Sequence, residues 1–553
     1  MGDAAQTPRQ PAYTAQTDSF VRDRLPAANQ MPLLRFDTPE LQFPECVNLV
    51  EALFARAHAF GHSERPFLRS SRITFSYAEA HERVNRIAAL LTLEYGLVPG
   101  NRVLLRGGNS IGMALSWLAV VKAGLVAVAT MPLLRAKELG DILDTSKPVL
   151  ALCDAQLRNE LDIAIGNRPQ GIRILVFNAA NSPDDLGVLC ASQSGEFQAC
   201  PTAATDIALM AFTSGTTGKP KAAVHTHRDV LAACETWPRH VLKARPADIV
   251  MGSPPLAFTF GLGGLLIFPM WAGASVYFAD LPYAPQSMAR LMHEVGATIC
   301  YTAPTFYRQL APHLKEIIVQ SGAPALRICV SAGEGLPDAT RTLWRDATGI
   351  ELLDGIGATE MFHIFISSAG QDVRRGAIGK VVPGYTARVV DDSGMEVPRG
   401  TVGKLAVIGP TGCKYMDDPR QNNYVKNGWN HTGDAFIEDA DGYFFYQART
   451  DDMIITAGYN VGAPEVEDAL LQHAAVAECA VIGQPDKERG MQIKAFVVVK
   501  AGLQADQALV KALQDHVKSS IAPYKYPREI EFVSSLPRTE TGKLQRFRLK
   551  RPA

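Results

Sequence analysis

Short apolar runs alternate with amphipathic segments up to about residue 390, and this alternation restricts the possible folds more than any other feature. Residues 102–106 (RVLLR), 149–153 (VLALC) and 172–177 (IRILVF) are typical of buried strands, and residues 76–92 have the periodicity of an amphipathic helix. Strands that alternate with helices predict parallel sheets covered by helices. The sequence therefore predicts an α/β fold for most of the chain.

Two changes of pattern divide the chain further. Residues 381–446 contain short strand-like runs between turn sequences such as DDSG and DADG, which predicts a small antiparallel β unit. We therefore predict a large N-terminal body, residues 1–449, made of parallel sheets covered by helices plus this small β unit. Its Pro-rich residues 1–45 are expected to form a strap over the surface. A small mobile α+β C-terminal domain, residues 450–553, is expected to follow.

Composition and charge exclude several classes of protein. Lys plus Arg number 55 and Asp plus Glu 56, so the net charge of −1 supplies no basic field for a nucleic acid. Nine Cys occur without a CxxC pair, which favours reduced thiols over a zinc site. The N-terminus lacks the apolar core of a secretory signal. We expect a cytoplasmic protein without nucleic-acid partners.

Residues 261–279 form an uncharged stretch of 19 residues, about the length of a membrane span. Four Gly and one Pro interrupt this stretch, so we predict a buried strand–turn–strand and no membrane partner. His225 and His227 stand two positions apart in VHTHRD, but no third metal ligand is evident near them. We therefore predict no metal site at these two histidines.

Residues 212–221 (FTSGTTGKPK) follow an apolar strand-like run and combine hydroxyl side chains with Gly and two Lys. Backbone N–H groups in such loops point at anions, and Lys219 and Lys221 add positive charge. The segment departs from the G-x-x-x-x-G-K-[ST] pattern, because Thr213 replaces the first Gly and Pro follows Lys219. By itself it leaves a phosphate-binding loop and a flexible surface turn equally open.

The segment TSGTTGKPK resembles the signature of the adenylate-forming superfamily, which includes acyl-CoA synthetases, firefly luciferase and peptide-synthetase adenylation domains. Further elements of that family follow in the family's order across roughly residues 75–545. They are SAGEGLP (331–337), LDGIGATE (353–360), GWNHTGD (428–434), ARTDD (448–452) and LPRTETGKLQR (536–546). The resemblance implies that an acid and ATP form an acyl-AMP with release of pyrophosphate.

The resemblance also implies which residues contact the nucleotide. The expected ATP and AMP contacts are Thr213, Ser214, Gly215, Thr216, Thr217, Gly218, Gly333, Glu334, Gly335, Asp354, Gly355, Ile356, Thr359, Asp434 and Arg449. Asp434 is expected to accept hydrogen bonds from both ribose hydroxyls, a task that suits a carboxylate. Ile356 replaces the aromatic residue that is usual in this family, which reduces adenine stacking to an apolar contact.

The implied catalytic residues are Lys543, Thr359, Glu360 and Lys221. Thr359 is expected to contact the α-phosphate, and Glu360 is expected to hold Mg²⁺, which prefers carboxylate and phosphate oxygens. Lys543 is expected to bridge the anionic carboxylate and α-phosphate, where a cation helps most as charge builds up. Asp451 takes the family's hinge position, and Gly458 lies in the loop that lines the family's pantetheine tunnel.

The acid pocket is implied by two further segments. PPLAFTFGLGG (254–264) resembles a family segment in which many members have His at the position of Phe258. TEMFHIFIS (359–367) resembles a run of bacterial benzoate-CoA and 2-aminobenzoate-CoA ligases. The implied acid-binding residues are Ala257, Phe258, Gly357, His363 and Ile364. The strap also resembles the 2-aminobenzoate branch, so 2-aminobenzoate is the preferred acid. Benzoate, other substituted aryl acids and medium-chain acids stay open.

The acceptor of the acyl group is expected to be free CoA, because no carrier domain follows the C-terminal module. A luciferase is disfavoured, because the chain lacks a Ser-Lys-Leu ending. The expected small-molecule partners are thus ATP, Mg²⁺, CoA and an aryl acid, and family habit suggests a homodimer. Two alternatives remain: an enzyme that loads a carrier protein, and a non-catalytic nucleotide- or acid-binding protein with the same fold.

Overall fold

Six strands form the first sheet of the N-terminal body in this computed structural model. The structure describes residues 13–166, 171–179, 182–213, 220–280, 283–456, 459–486, 490–538 and 544–550. In spatial order the strands are Arg173–Phe177, Leu150–Asp154, Arg102–Arg106, Val126–Thr130, Ile207–Thr213 and Lys221–Thr226. The first five are parallel, and the sixth pairs antiparallel with the fifth. The strands predicted near residues 102, 149 and 172, and the strand-like run just before residue 212, are therefore confirmed.

Helices accompany this sheet, as the alternation predicts. They are Leu49–Ala59, Tyr77–Ala89, Ile111–Lys122, Ala136–Ser146, Arg158–Ile165, Leu186–Leu189 and His227–Glu235. The helix Tyr77–Ala89 begins where the Ser76 hydroxyl accepts the Glu79 N–H and the Glu79 carboxylate accepts the Ser76 N–H. This capping box satisfies backbone donors that the first helical turn leaves open, and it explains why the predicted helix starts here.

The second sheet of the N-terminal body has nine strands. In spatial order they are Lys380–Val381, Ile364–Ser367, Leu352–Gly357, Ile328–Ser331, Ile299–Thr302, Ile249–Gly252, Ser275–Tyr277, Pro66–Arg69 and Thr74–Ser76. The central strands are parallel, and antiparallel strands flank them at both ends. The helices Pro285–Glu294, Pro304–Ser321 and Asp338–Thr348 connect its parallel strands.

The strand–turn–strand predicted for residues 261–279 is wrong. The chain is helical from Thr259 to Ala272, with α-helical turns at Thr259–Leu262 and Phe268–Ala272 around a π-helical turn. Only Ser275–Tyr277 is a strand. The helical segment is almost entirely buried, so its sequence is apolar on all sides, and periodicity cannot distinguish such a helix from a strand. In the part of the chain that the structure describes, we find no helix with the length and apolarity needed to span a bilayer.

The small antiparallel β unit is present as predicted, and a smaller α+β domain follows it. The β unit contains Thr386–Val390, Gly403–Ile408, Val425–Lys426, Trp429–Glu438 and Phe444–Arg449, beside the short helix Gln421–Tyr424. The C-terminal sheet contains Ile454–Thr456, Tyr459–Val461, Val476–Asp486, Gly490–Val499 and Glu529–Phe532, with helices Ala463–Leu471, Gln507–Ser520 and Arg546–Leu549.

The described part of the N-terminal strap runs along the body without regular helices longer than one short turn. The Asp18 N–H donates to the carbonyl of Pro99 at 3.0 Å, and the Leu33 N–H donates to the carbonyl of Gly428 at 2.9 Å. The strap therefore links the first sheet to the β unit.

Candidate active site

Two of the segments predicted to contact ATP follow strands of the nine-stranded sheet at one of its edges. The strands Ile328–Ser331 and Leu352–Gly357 are parallel neighbours in this sheet. Because parallel strands end at the same edge, residues 333–335 and 358–360 follow them side by side. Ligands of open α/β sheets bind outside the carboxyl ends of the strands, so this edge is the candidate active site.

Thr359 and Glu360 lie in a tight turn that two distant residues hold in place. The Nε2–H of His225 donates to the carbonyl of Thr359 at 2.7 Å, and the Thr411 hydroxyl donates to the carbonyl of Met361 at 2.8 Å. Burial lowers the pKa of His225 to about 4, so its imidazole is neutral at physiological pH. The proton is assigned to Nε2, because a carbonyl oxygen only accepts. Both hydrogen bonds fix the backbone of the turn.

A buried ion pair lies behind His225. Lys414 Nζ is 2.7 Å from Asp229 Oδ2, and the same oxygen is 3.8 Å from His225 Nδ1. Burial would raise the pKa of Asp229, but Lys414 and His225 hold it below its ordinary value. The pair thus connects the helix that carries Asp229 with the segment that carries Thr411. These parts of the chain adjoin His225 and Thr411, the two residues that hydrogen-bond the turn.

Glu360 and Lys221 are joined by a tyrosine that the sequence motifs did not reveal. The hydroxyl of Tyr415 donates to Glu360 Oε1, and Lys221 Nζ donates to the Tyr415 hydroxyl oxygen at 3.4 Å. Burial and the neighbouring Glu360 raise the pKa of Tyr415 well above its ordinary value, so the phenol stays protonated. Tyr415 is 55 positions from Glu360 along the chain, and no local pattern signals their contact.

Asp434 and Arg449 face each other on the antiparallel strands of the β unit. Arg449 Nη1 lies 2.9 Å from Asp434 Oδ1, and the Arg449 side chain is about half exposed (54%). Asp434 is mostly buried (7% exposed). The structure therefore brings together the carboxylate predicted to bind ribose and the arginine predicted to reach the ribose or a phosphate.

The predicted adenine segment lies beside a second tyrosine that the motifs did not reveal. Gly333 has a φ of +93°, a conformation that glycine adopts readily and other residues rarely adopt. A Cβ atom added at Gly335 would lie 3.6 Å from the ring of Tyr446. Ile356, which takes the place of the family's aromatic residue, is half-buried. An aromatic ring beside this segment is supplied by Tyr446 instead.

Two acidic residues predicted to contact the nucleotide have protein partners. The carboxylate of Glu334 accepts from the Thr305 hydroxyl at 2.8 Å and from Arg538 of the C-terminal domain at 3.4 Å. Asp354 is buried, accepts the Gly355 N–H at 2.9 Å and lies 3.8 Å from Arg341. Burial raises the pKa of Asp354 to about 7. The carboxyl of Asp354 therefore faces the protein interior, and the carbonyl of Asp354 accepts from the Ser367 hydroxyl.

The structure joins the two predicted acid-binding segments. His363 Nε2–H donates weakly to the carbonyl of Phe260 at 3.4 Å, and Gly357 pairs with Ile364 across the strand hairpin. A Cβ atom at Gly357 would lie only 2.6 Å from the carbonyl oxygen of His363, so glycine permits this close approach. Ala257 is buried and Phe258 half-buried just before the helical turn that carries Phe260.

His363 lies among aromatic rings. Its ring centroid is 4.5 Å from that of Phe268, 5.2 Å from that of Trp237 and 5.5 Å from that of Phe260. Burial lowers the pKa of His363 to about 3, which keeps the ring neutral. Its Nδ1 has no hydrogen-bond partner in the described structure.

Asn109, which the motifs did not reveal, orders the predicted acid-binding segment 254–264. Its side chain donates to the Pro254 carbonyl and accepts from the Leu256 N–H.

Several predicted residues lie outside the described structure. They are Ser214, Gly215, Thr216, Thr217 and Gly218 of the phosphate loop, Gly458 of the tunnel loop and Lys543. The side chain of Asp451 is likewise not described. Thr213 pairs with Lys221 across the antiparallel strands, so the two described ends of the loop lie side by side at the top of a hairpin.

Comparison with known proteins relates this geometry to a family. The AMP-binding enzyme family matches residues 55–414, and the AMP-binding enzyme C-terminal domain matches residues 465–543. A benzoate–CoA ligase of Thauera aromatica is 36% identical over 516 residues, which cover 93% of this chain and 97% of that protein.

Solved structures agree with the sequence comparison. The anthranilate CoA ligase AuaEII in complex with anthranoyl-AMP is 33% identical, with a TM-score of 0.86 over 93% of this chain and 98% of that chain. A benzoate CoA ligase from Burkholderia xenovorans LB400 is 31% identical, with a TM-score of 0.83 over 91% of this chain and 100% of that chain.

Proposed function

The chain belongs to the family of AMP-binding enzymes, and we propose that it is an ATP-dependent aromatic acid–CoA ligase. The observation that carries this proposal is similarity over nearly the whole chain to ligases of benzoate and anthranilate, in sequence and in structure. A ligase of this kind uses ATP and CoA as co-substrates.

In the first half-reaction, a carboxylate oxygen of the acid attacks the α-phosphorus of ATP and displaces pyrophosphate. Asp434 binds the ribose hydroxyls and Thr359 contacts the α-phosphate, while Lys543 bridges the two reacting anions. The hydrogen bonds that hold the Thr359 turn support this assignment, because a fixed contact needs no rearrangement during the reaction.

The residues present fit the Mg²⁺ that such chemistry requires. Glu360 is half-buried, and one of its carboxylate oxygens accepts from the Tyr415 hydroxyl, to which Lys221 Nζ donates. A carboxylate oxygen together with phosphate oxygens suits this hard cation, so we assign Glu360 as its protein ligand. When bound, Mg²⁺ neutralises negative charge on the phosphates.

In the second half-reaction, the thiol of CoA attacks the acyl carbon and AMP leaves. We propose that residues 450–553 turn about Asp451 between the two steps, which withdraws Lys543 and brings Gly458 to the CoA path. Polar contacts link the two parts in the described structure, including the Ala339 N–H to Asp468 at 3.1 Å and Arg538 to Glu334. Such contacts can be exchanged during a rotation.

The preferred acid in this proposal is 2-aminobenzoate. His363 uses its Nε2–H toward Phe260, so its neutral Nδ1 is an acceptor among aromatic rings. An amino group on the aryl ring is a donor that matches this acceptor, whereas benzoate has none. Benzoate remains the nearest alternative, because small substituents change binding in a pocket by only about 1–3 kcal/mol.

A panel of acids tests the proposal. The chain is incubated with ATP, Mg²⁺, CoA and either benzoate, 2-aminobenzoate, 2-hydroxybenzoate, phenylacetate or hexanoate, and both pyrophosphate and thioester are measured. We expect an aroyl-CoA of the correct mass, formed fastest from 2-aminobenzoate. Activity on hexanoate alone contradicts the aromatic assignment. Pyrophosphate without thioester indicates another acceptor, and no pyrophosphate with any acid supports the non-catalytic alternative.

A further inference from the structure

Tyr415 contacts two active-site residues at once, although no step of the proposed reaction uses it. Its hydroxyl donates to Glu360 and accepts from Lys221, and Lys221 Nζ also lies 5.0 Å from the centre of the Tyr415 ring. We propose that Tyr415 is a positioning residue that orients Glu360 for Mg²⁺ and keeps Lys221 from pairing with it. The inference rests on the proposed function, because Glu360 binds a metal only in an ATP-using enzyme of this kind.

The structure holds the phenol in one orientation. Tyr415 is only 1% exposed, and its backbone forms an antiparallel bridge with Ala223. The Met416 N–H donates to the carbonyl of Ala222 at 3.0 Å, and the Tyr415 N–H donates to Gln421 Oε1 at 2.9 Å. A donor fixed in this way occupies one oxygen of Glu360 and leaves the other oxygen for a cation. Partners that orient a metal ligand typically contribute about 10–100-fold to metal affinity.

The phenol also separates opposite charges. The ammonium of Lys221 and the carboxylate of Glu360 both contact the Tyr415 hydroxyl oxygen, so they are close neighbours. Opposite charges at such a distance attract strongly in a half-buried site. Without the hydroxyl, the two groups can form a direct ion pair, which takes Glu360 from Mg²⁺ and Lys221 from the phosphates. A neutral hydroxyl that donates to one group and accepts from the other prevents this pairing.

Metal binding without turnover tests the inference. The full-length Tyr415→Phe variant is titrated with Mn²⁺ in the presence of α,β-methylene-ATP, a nucleotide that cannot release pyrophosphate and so cannot adenylate the acid. Bound metal is followed by electron paramagnetic resonance. We expect about tenfold weaker Mn²⁺ binding than in the wild type. Affinity for the metal-free nucleotide, measured in EDTA, should fall as well, because Lys221 then pairs with Glu360 and is withdrawn from the phosphates. The thermal midpoint reports whether the variant folds normally.

Tyr424→Phe is the matched control. The ring of Tyr424 packs edge-on against Tyr415 at 5.9 Å, and its buried hydroxyl has no hydrogen-bond partner within the described residues. This variant removes a neighbouring phenol oxygen without touching Glu360 or Lys221. We expect its Mn²⁺ affinity to equal that of the wild type.

A second background separates positioning from general structural damage. In the Glu360→Gln variant, adding Tyr415→Phe should weaken Mn²⁺ binding no further, because Tyr415 acts through Glu360. If Tyr415→Phe lowers the thermal midpoint, 3-fluorotyrosine at position 415 keeps the ring and changes only the strength of the hydroxyl donor. Unchanged Mn²⁺ affinity in that protein, or in Tyr415→Phe, overturns the inference, as does an equal loss in the Glu360→Gln background.

The inference and the proposed function can fail separately. If the wild type forms aroyl-CoA while Tyr415→Phe keeps its Mn²⁺ affinity, only the role of Tyr415 is overturned. If Tyr415→Phe weakens Mn²⁺ binding while the wild type forms no thioester with any acid, the positioning role is supported and the proposed function is overturned.

Discussion

At the scale of single residues, the proposed chemistry depends on one cation placed between two anions. Lys543→Ala removes that cation, so we expect acyl-AMP formation to slow by at least about 10²–10³-fold. Thioester formation from supplied acyl-AMP should change little, because Lys543 is withdrawn in that step. Pyrophosphate release and CoA consumption, measured separately, check this. Equal loss of both steps contradicts the two-step account, and Lys518→Ala, at an exposed lysine of the same domain, serves as the control.

We expect His363 to determine the preference between 2-aminobenzoate and benzoate. His363→Leu keeps an apolar side chain of similar size and removes the Nδ1 acceptor. One neutral hydrogen bond contributes about 0.5–1.5 kcal/mol, so the ratio of kcat/KM for 2-aminobenzoate to that for benzoate should fall about twofold to thirteenfold. Steady-state kinetics with both acids measure this ratio. An equal fall for both acids shows that His363 only packs against the pocket.

At the scale of elements, the buried pair of Lys414 and Asp229 joins a helix to the segment behind the Thr359 turn. Asp229→Asn leaves the Lys414 ammonium buried without a counter-charge, which should cost about 3–5 kcal/mol of unfolding free energy. Asp392→Asn is the control, because Asp392 is 91% exposed in its ion pair with Lys404 and should change stability by less than about 1 kcal/mol. Denaturant unfolding compares the two variants, and equal stabilities contradict the role of the buried pair.

Elements were predictable from the sequence where their patterns are local. The strand at residues 102–106 and the helix after Ser76 were predicted closely, because a buried strand and a capped amphipathic helix have their own signatures. The helical turns between residues 261 and 272 were not predicted, because a helix buried on all sides lacks a periodic pattern of apolar residues. A Cβ at Gly264 would lie 2.7 Å from the Tyr301 ring, so glycine at this position lets the buried helical segment pack close to that ring.

At the scale of the whole molecule, buried titratable groups predict how stability depends on pH. Burial holds the pKa of His225 at about 4 and those of His227 and His363 at about 3, whereas unfolded imidazoles take up protons near pH 6.5. Asp354 acts in the opposite direction, because the folded chain keeps its proton up to about pH 7. Stability from the histidines is therefore complete above pH 6.5 and falls as the pH falls toward 4.

Between pH 6 and pH 5 the three histidines hold about three protons in the unfolded chain, whereas in the folded chain only Asp354 of these four groups holds a proton. The unfolded chain therefore binds about two more protons. The unfolding free energy should then fall by roughly 2.7 kcal/mol for each unit by which the pH is lowered. Thermal midpoints at pH 7.5, 6.0 and 5.0 measure this trend, and His227→Gln should make it shallower. A midpoint that stays constant down to pH 5 contradicts the burial of neutral histidines.

The site was predictable from the sequence only where a residue lies inside a recognisable motif. Asp434 and Arg449 come from separate motifs, and the structure pairs them across two strands. Tyr415 and Tyr446 were not predicted, because they reach the site through contacts between segments far apart in the chain. Spatial proximity of this kind comes from sheet order and crossover connections, which a single sequence does not report.

In the proposed reaction, a carboxylate oxygen of the acid attacks the α-phosphorus of ATP and stays in the AMP that is later released. The most direct test uses the panel's preferred acid with both carboxylate oxygens replaced by ¹⁸O, together with ATP, Mg²⁺ and CoA. Mass spectrometry of the products should find one ¹⁸O in AMP, one in the thioester carbonyl and none in pyrophosphate. AMP without ¹⁸O, or label in pyrophosphate, would contradict an acyl-AMP intermediate and the account built on it.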